Sequence, residues 1–348
     1  MKKYRREVLP APREAVTNGR CNMGTFSGLI EYINLLDAEK PLGFSLPRVF
    51  KYLRLKEWEA FQIANEEWFV CLAVYNAKII GIALVMAYHK SEGRMYRYER
   101  KVPFWQLKVP SGLGDSHCYY HSGNFNIDIY NKLKYGRITV DFNMHSFQGL
   151  PDCRASFTGY HETEPIVIVQ PFAENRPLYS HKALMPADGS LTIGDQTTEF
   201  TKNSSCMIID DHKGYYPYVM KYDWVTALGY DDRGRLVGFN LTDNQVRNHE
   251  KYNENCLWLD GKMYTLPPIK ITRPSGVEQI WEVRDDYGMV RLHFTPLEDM
   301  PVYLNLVLME TRYHGPTGSF EGYIVDPDGN QICFDGFSGM GEKKYIRM

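Results

Sequence analysis

The chain has 348 residues, and its 40 Lys and Arg stand against 42 Asp and Glu for a formal charge of −2. That balance, without a long basic run, leaves no electrostatic footprint for nucleic acid. The length allows two domains with cores that need no staples. Seven cysteines, widely scattered and without a CxxC pair, suit neither a zinc framework nor a disulfide scaffold and point to a reducing, cytoplasmic compartment without a bound metal.

Residues 1–50, interrupted by prolines and glycines, read as an extended or loop segment. Residues 47–66 carry a mixture of charges and apolar residues that periodicity assigns to neither helix nor strand. Strand signals then begin: Trp68–Tyr75 and Lys78–Tyr88 flank Asn76-Ala77 as a hairpin, and Phe104–Val109, Asn124–Tyr130, Arg137–Phe142 and Ile166–Pro171 continue the pattern. Within the first of these hairpins, Ile79–Ala87 is the most apolar window of the chain and is far too short to span a bilayer. Ala187-Asp188-Gly189-Ser190 reads as a turn.

After residue 205 the runs Arg235–Thr242, Leu257–Asp260, Val277–Val283, Met289–Thr295, Val302–Met309, Phe320–Val325 and Gln331–Asp335 alternate with turn signals such as Asp260-Gly261 and Asp328-Gly329. A weak echo, Ile138–Phe142 leading to Ala187–Leu191 and Val290–Phe294 leading to Pro327–Gln331, suggests a duplication. The expectation is an all-β protein of two consecutive antiparallel barrels, the first over 51–200 and the second over 201–348.

Chemistry concentrates in Met207–Trp224. Asp210, Asp211 and His212 form an acid–imidazole group before a glycine; crowded carboxylates in a dry site give one of them a raised pKa and the role of general acid. Tyr216, Tyr218, Tyr222 and Trp224 share strand parity, with Lys221 and Asp223 opposite, so the rings are expected to line a pocket in the second barrel. Asn255, in parity with Leu257 and Leu259, is a candidate buried amide that needs a backbone or ligand partner. His117 and His121 in HCYYH fall on a strand, where that spacing separates backbone positions by about 13 Å and disfavours a metal. No Walker loop, dinucleotide fingerprint, GxSxG elbow or HExxH occurs, so no cofactor is expected.

Several segments together resemble the bacterial family grouped as domain of unknown function 2804. They are Leu55–Trp58, Asp210–Pro217, Tyr222-Asp223-Trp224, Gly238–Thr242, Glu254–Gly261, Phe294-Thr295-Pro296 and Gly339–Glu342, in order from about residue 50 to the C-terminus. The resemblance implies a distant likeness to lipocalin-like double barrels such as carotenoid hydratases and tocopherol cyclase. Those proteins handle apolar molecules and protonate a carbon–carbon double bond with a carboxylic acid. The family pattern expects Trp-x-Trp ending at Trp224, where this chain has Tyr222. The implied function is binding of a small apolar or amphipathic molecule, with hydration, cyclisation or isomerisation as the reaction. A non-catalytic carrier or structural module and a carbohydrate-acting protein are the alternatives.

Overall fold

A computed structural model describes residues 4–299, 301–306 and 309–347. Nearly all regular structure is antiparallel strand, in two large curled sheets, as an all-β two-barrel fold requires. The first sheet runs in the order Arg94–Val102, Gly81–His89, Trp68–Asn76, Lys56–Ala64, Cys206–Gly214, Arg176–Ile193, Cys153–Tyr160, Arg137–Met144, Phe125–Lys132, Ser116–Ser122 and Leu107–Lys108. The second runs Lys262–Thr265, Cys256–Leu259, Leu236–Asp243, Val219–Tyr230, Phe337–Arg347, Thr317–Val325, Val290–Glu298, Trp281–Asp285 and Ile269–Thr272.

The ambiguous 47–66 stretch divides. Arg48–Arg54 is a helix, and Lys56–Ala64 is a central strand. Pro47 fixes the backbone turn that starts the helix, and alternation of Phe61 and Ile63 with Gln62 and Ala64 sets the strand's two faces. Phe104–Gln106, expected as strand, forms a 3-10 turn. Asp260 and Gly261, at φ 50° and 81°, make the tight hairpin turn that their sequence predicts.

The Ala187–Ser190 turn is not formed. The Arg176–Ile193 strand continues through it without a break, pairing with Cys206–Gly214 up to Pro186 and with Cys153–Tyr160 from Ala187 onward. Gly189 sits at φ 143° in this corner, where an added Cβ would meet the Ser156 carbonyl oxygen at 2.0 Å. Its Asp-Gly pair therefore serves to fold a sheet on itself, whereas Asp328-Gly329 closes a hairpin. The echo between the halves thus joins segments with different roles.

Packing divides into layers. The concave face of the first sheet holds Phe61, Val70, Tyr98, Phe125, Phe142 and Phe157. The second encloses Phe239, Trp281, Phe294, Phe320 and Phe334, which interlock edge to face. A third apolar layer joins the sheets: Phe69, Cys71, Leu178, Leu184 and Ile208 from the first meet Met220, Tyr222, Trp224, Trp258 and Met340 from the second. The chain crosses between sheets at residues 215–218, downstream of the boundary expected near 200, because Cys206–Gly214 completes the first sheet. Tyr4 and Arg6 tie the N-terminal segment to the second sheet, through Tyr4 to the Glu250 carbonyl at 2.8 Å and Arg6 to the Asn255 carbonyl at 3.2 Å.

Gly189→Ala is expected to destabilise the protein by at least about 2 kcal/mol, because both the conformation and the space are closed to a Cβ. Gly123→Ala, with nothing within 4 Å of its new methyl, serves as the matched control in thermal unfolding and should be near neutral.

Candidate functional site

Strand alternation decides where the Asp210–Lys213 run points. Asp210 and His212 face the layer between the sheets, while Asp211 and Lys213 face the interior of the first sheet. Two separate buried charge clusters result, and the adjacent aspartates do not share a site.

The inter-sheet cluster is assembled from rows across neighbouring strands. Ser180, His212, Trp58 and Tyr75 are consecutive cross-strand partners, and Lys182 lies opposite Asp210 in the next row. Glu254, just before the Cys256–Leu259 strand, descends from the second sheet onto this floor. Lys182 Nζ lies 2.8 Å from Asp210 Oδ1 and 3.6 Å from Glu254 Oε2. His212 Nε2 lies 2.9 Å from Asp210 Oδ1, 3.3 Å from Glu254 Oε2 and 3.1 Å from Ser180 Oγ. Ser180 and Gln170 donate to Glu254 at 2.9 and 3.2 Å, and the Tyr222 hydroxyl donates to it as well.

These contacts set the charges. Burial pushes the Asp210 carboxyl up, but Lys182 and His212 together outweigh it and hold the group well below the usual carboxylate range. Burial likewise opposes ionisation of Glu254, and the same two cations bring it down to about 2. Desolvation works against the His212 imidazolium, yet Asp210 and Glu254 raise its pKa above the ordinary 6.5; Lys182 is raised by the same two anions. Two anions and two cations therefore cancel in a dry layer.

Aromatic rings form the rim. Trp58 stacks on His212 with centroids 4.6 Å apart and planes 8° apart, and it stacks again on Tyr216 at 5.8 Å. Tyr75 meets Trp58 edge-on, and Lys344 Nζ lies over Trp58 and Tyr222, each at 5.5 Å. Trp58, Tyr75, Tyr216 and Lys344 are half-buried, so the charged floor lies beneath a rim that reaches solvent. His212 Nδ1 and the Tyr216 hydroxyl are buried atoms with no hydrogen-bond partner among the described residues.

The sequence-derived candidates divide accordingly. Asp210, His212, Tyr216, Tyr222 and Trp224 come together in this layer. Tyr222 and Trp224 keep the expected parity, but they face the first sheet and not the filled interior of the second. Trp224 donates to Asn240 Oδ1 at 2.6 Å and lies under Lys182 Nζ at 5.0 Å. Tyr218 stands apart: residues 215–218 are not strand, and its ring is half exposed on the outer surface. Asn255 faces the second sheet's interior, where its side chain accepts from the Thr242 amide at 2.7 Å and donates to the Pro267 carbonyl at 2.8 Å. It braces the end of the Leu236–Asp243 strand against the loop at Pro267. Its neighbour Glu254, of opposite parity, reaches the site.

Asp211 is fully buried beside Lys213 and Glu59, its cross-strand partner. Burial, with the Asp211 charge, pushes Glu59 up to about 8, and burial also raises Asp211. Tyr179, His181 and Cys118 surround this second cluster, and it meets no rim.

Sequence reading missed Ser180, Lys182, Glu254 and Trp58 as site residues. Lys182 carried a usable signal, a lysine directly before the apolar run Ala183-Leu184-Met185 and in strand parity with Leu184, where only a paired charge is tolerated. Among the described residues, no group of three or more His, Cys, Asp or Glu is arranged to hold a metal ion. His117 and His121 lie on a strand as expected, but their rings lean together to 6.3 Å between centroids as both hydrogen-bond Asp128 Oδ1, at 2.7 and 2.8 Å.

Two curled antiparallel sheets packed through an aromatic and charged layer define an all-β two-barrel protein. The chain belongs to the family described as Domain of unknown function (DUF2804), whose profile matches residues 18–348. Among solved structures it is similar to kievitone hydratase from Nectria haematococca, with a TM-score of 0.50, 11% identity, and coverage of 84% of this chain and 88% of that one. It is also similar to a provisional AttH from Nitrosomonas europaea, at a TM-score of 0.46 and 12% identity over 87% of this chain and 96% of the other. No curated protein sequence matches it. Among the described residues no helix is long and apolar enough to cross a membrane.

Removing one charge from the balanced four leaves a net charge in the dry layer. Lys182→Met is expected to cost about 3–5 kcal/mol in chemical denaturation, and Lys182→Met with Asp210→Leu to recover most of it.

The pH response follows from the shifts. Glu254, depressed from 4.5 to about 2, contributes stability that is whole above pH 4.5 and is lost as pH falls toward 2. His212, raised from 6.5, contributes stability that is whole below pH 6.5 and is lost as pH rises through its folded-state value. Both contributions are whole between about pH 4.5 and 6.5. An NMR titration of His212 should give a midpoint above 6.5, and Asp210→Asn should bring it down.

Proposed function

We propose that the chain binds a small, partly apolar molecule between the two sheets and protonates it, in a hydration, cyclisation or isomerisation. The observation that carries this reading is the pair of unpartnered buried groups, His212 Nδ1 and the Tyr216 hydroxyl, both against the half-buried Trp58 ring. Buried polar atoms of a folded protein are almost always paired, and where they are not, a ligand is one physical reason. Rings above and charges below suit a flat molecule that carries one polar atom.

The proton donor in this reading is His212. Asp210 and Glu254 hold Nε2 and keep the imidazole charged at neutral pH, so they position the acid and do not act as it. In a hydration, Nδ1 gives its proton to one alkene carbon and water adds to the other. The proton that the added water gives up returns to the imidazole, so alkene and water become alcohol with the protein unchanged. Asp211 faces the other side of the strand and has no part in this scheme. The hydratase among the structural neighbours supports the reaction class, although a shared fold does not transfer an activity by itself. The carbohydrate reading lacks support: a glycosidase needs one neutral carboxylic acid, and Asp210 and Glu254 are both held ionised.

A panel of aryl enones and conjugated polyenes incubated with the protein in D2O tests the proposal through new C–D bonds, read by mass spectrometry. Wild type is expected to form them at least about a hundredfold faster than His212→Gln, within the usual range for a lost general acid. Tyr216→Phe should slow the reaction less, and Trp58→Ala should weaken binding about tenfold, with unfolding temperatures checked for each. Binding that depends on Trp58 without any C–D bond would leave a carrier, and binding insensitive to both Trp58 and His212 would remove the site.

A further inference from the structure

The rim of the inter-sheet cleft holds a cation of the protein's own. Lys344 lies on the Phe337–Arg347 strand, opposite Tyr222 on one side and Tyr313 on the other, so one cross-strand row sets its ammonium between two phenol rings. Trp58 of the first sheet faces this row. Lys344 Nζ lies 5.5 Å from the ring centroids of Trp58 and Tyr222 and 5.6 Å from that of Tyr313. Glu342, two residues back on the same face, lies 3.0 Å from Nζ through Oε2 and accepts from the Tyr313 hydroxyl at 2.7 Å through Oε1.

Three ring faces and one carboxylate around a single ammonium make a cage for a cation. The rings attract positive charge without hydrogen bonds, and Glu342 supplies the opposite charge, so the cage suits a cation that has no N–H to donate. The Lys344 side chain keeps 19% of its surface in water, and its flexible four-carbon stem lets the ammonium leave without any movement of the strand. Lys344 therefore stands where the head group of a ligand would fit. The cage also shares two walls with the cleft, since Trp58 stacks on His212 and Tyr222 donates to Glu254. A head group held there places the rest of its molecule over the charged floor.

We infer that the cage formed by Trp58, Tyr222, Tyr313 and Glu342 receives a methylated ammonium group of the molecule that enters the cleft, and that Lys344 occupies it until then. A lysine ammonium is compact and strongly hydrated, whereas a methylated one loses less on leaving water and is drawn to the same ring faces. The tethered lysine competes at a high effective concentration, which makes it an internal inhibitor that a ligand must displace. The inference rests on the cleft being a binding site and not on proton transfer at His212.

Choline and dimethylbutanol, in which carbon replaces the charged nitrogen, are the probes, titrated at constant ionic strength. In carbon-13-labelled wild type, the Lys344 side-chain resonances, displaced by the ring currents of the cage, should move toward those of an exposed lysine as choline is added and stay in place with the alcohol. By calorimetry, choline is expected to bind about tenfold tighter to Lys344→Ala than to wild type, and to lose that gain when Trp58→Ala or Glu342→Gln is added. Unfolding temperatures are checked for each variant, and the wild-type resonances decide alone where a variant fails to fold. Equal binding of choline and the alcohol, no gain in a folded Lys344→Ala, or Lys344 resonances that do not respond to choline overturns the cage. Choline binding without any C–D bond on the enone panel keeps the cage and removes the proton transfer, whereas C–D bonds on neutral enones without choline binding remove the cage alone.

Discussion

The whole arrangement depends on four charges neutralising one another where two sheets meet. Lys182, Asp210 and His212 come from adjacent strands of the first sheet, and Glu254 comes from the second. Each ion alone would cost several kcal/mol to keep out of water. Together they satisfy one another, and because one member belongs to the other sheet, the balance exists only when the sheets are docked. The apolar layer around them gives docking its strength. The ion set gives it register, since sliding one sheet over the other would strand Glu254 or leave Lys182 and His212 with a single anion.

The same neutrality sets the protonation states. A site whose carboxylates are pinned as anions offers no carboxylic acid, and its available proton sits on an imidazole. The first sheet's interior holds the reverse case. There Glu59 and Asp211 share one lysine, so burial wins and Glu59 keeps a proton near neutral pH. One strand, Cys206–Gly214, carries members of both sets on its two faces. Their opposite fates follow from ion pairing, since Lys182 and His212 both contact the outer pair of carboxylates while the inner pair has its ion pair with Lys213.

Much of this was legible in the sequence. Alternation and turn residues marked most strands, and the Asp210–Trp224 segment supplies Asp210, His212, Tyr216, Tyr222 and Trp224 to the layer between the sheets. What alternation cannot say is which side of a strand faces which partner. Tyr222 and Trp224 share a face in any strand, but only the partner sheet makes that face an interface and not a barrel lumen. Glu254 and Asn255 show the same limit, for adjacent polar residues divide between a site and a brace according to a register fixed far away. The Asp188-Gly189 corner was misread because positive φ serves a bent strand as well as a hairpin.

The place of Cys206–Gly214, between Lys56–Ala64 and Arg176–Ile193, bears on how the chain reaches its native state. The meander from Lys56 to Val102 can form early from local hairpins, yet its inner edge is closed only by a strand about 150 residues later. On a ribosome that edge waits, with its backbone groups unpaired, through the synthesis of everything in between. High contact order therefore falls on the strand that also carries Asp210 and His212, and closure of the first sheet and assembly of the charged layer become a single late event.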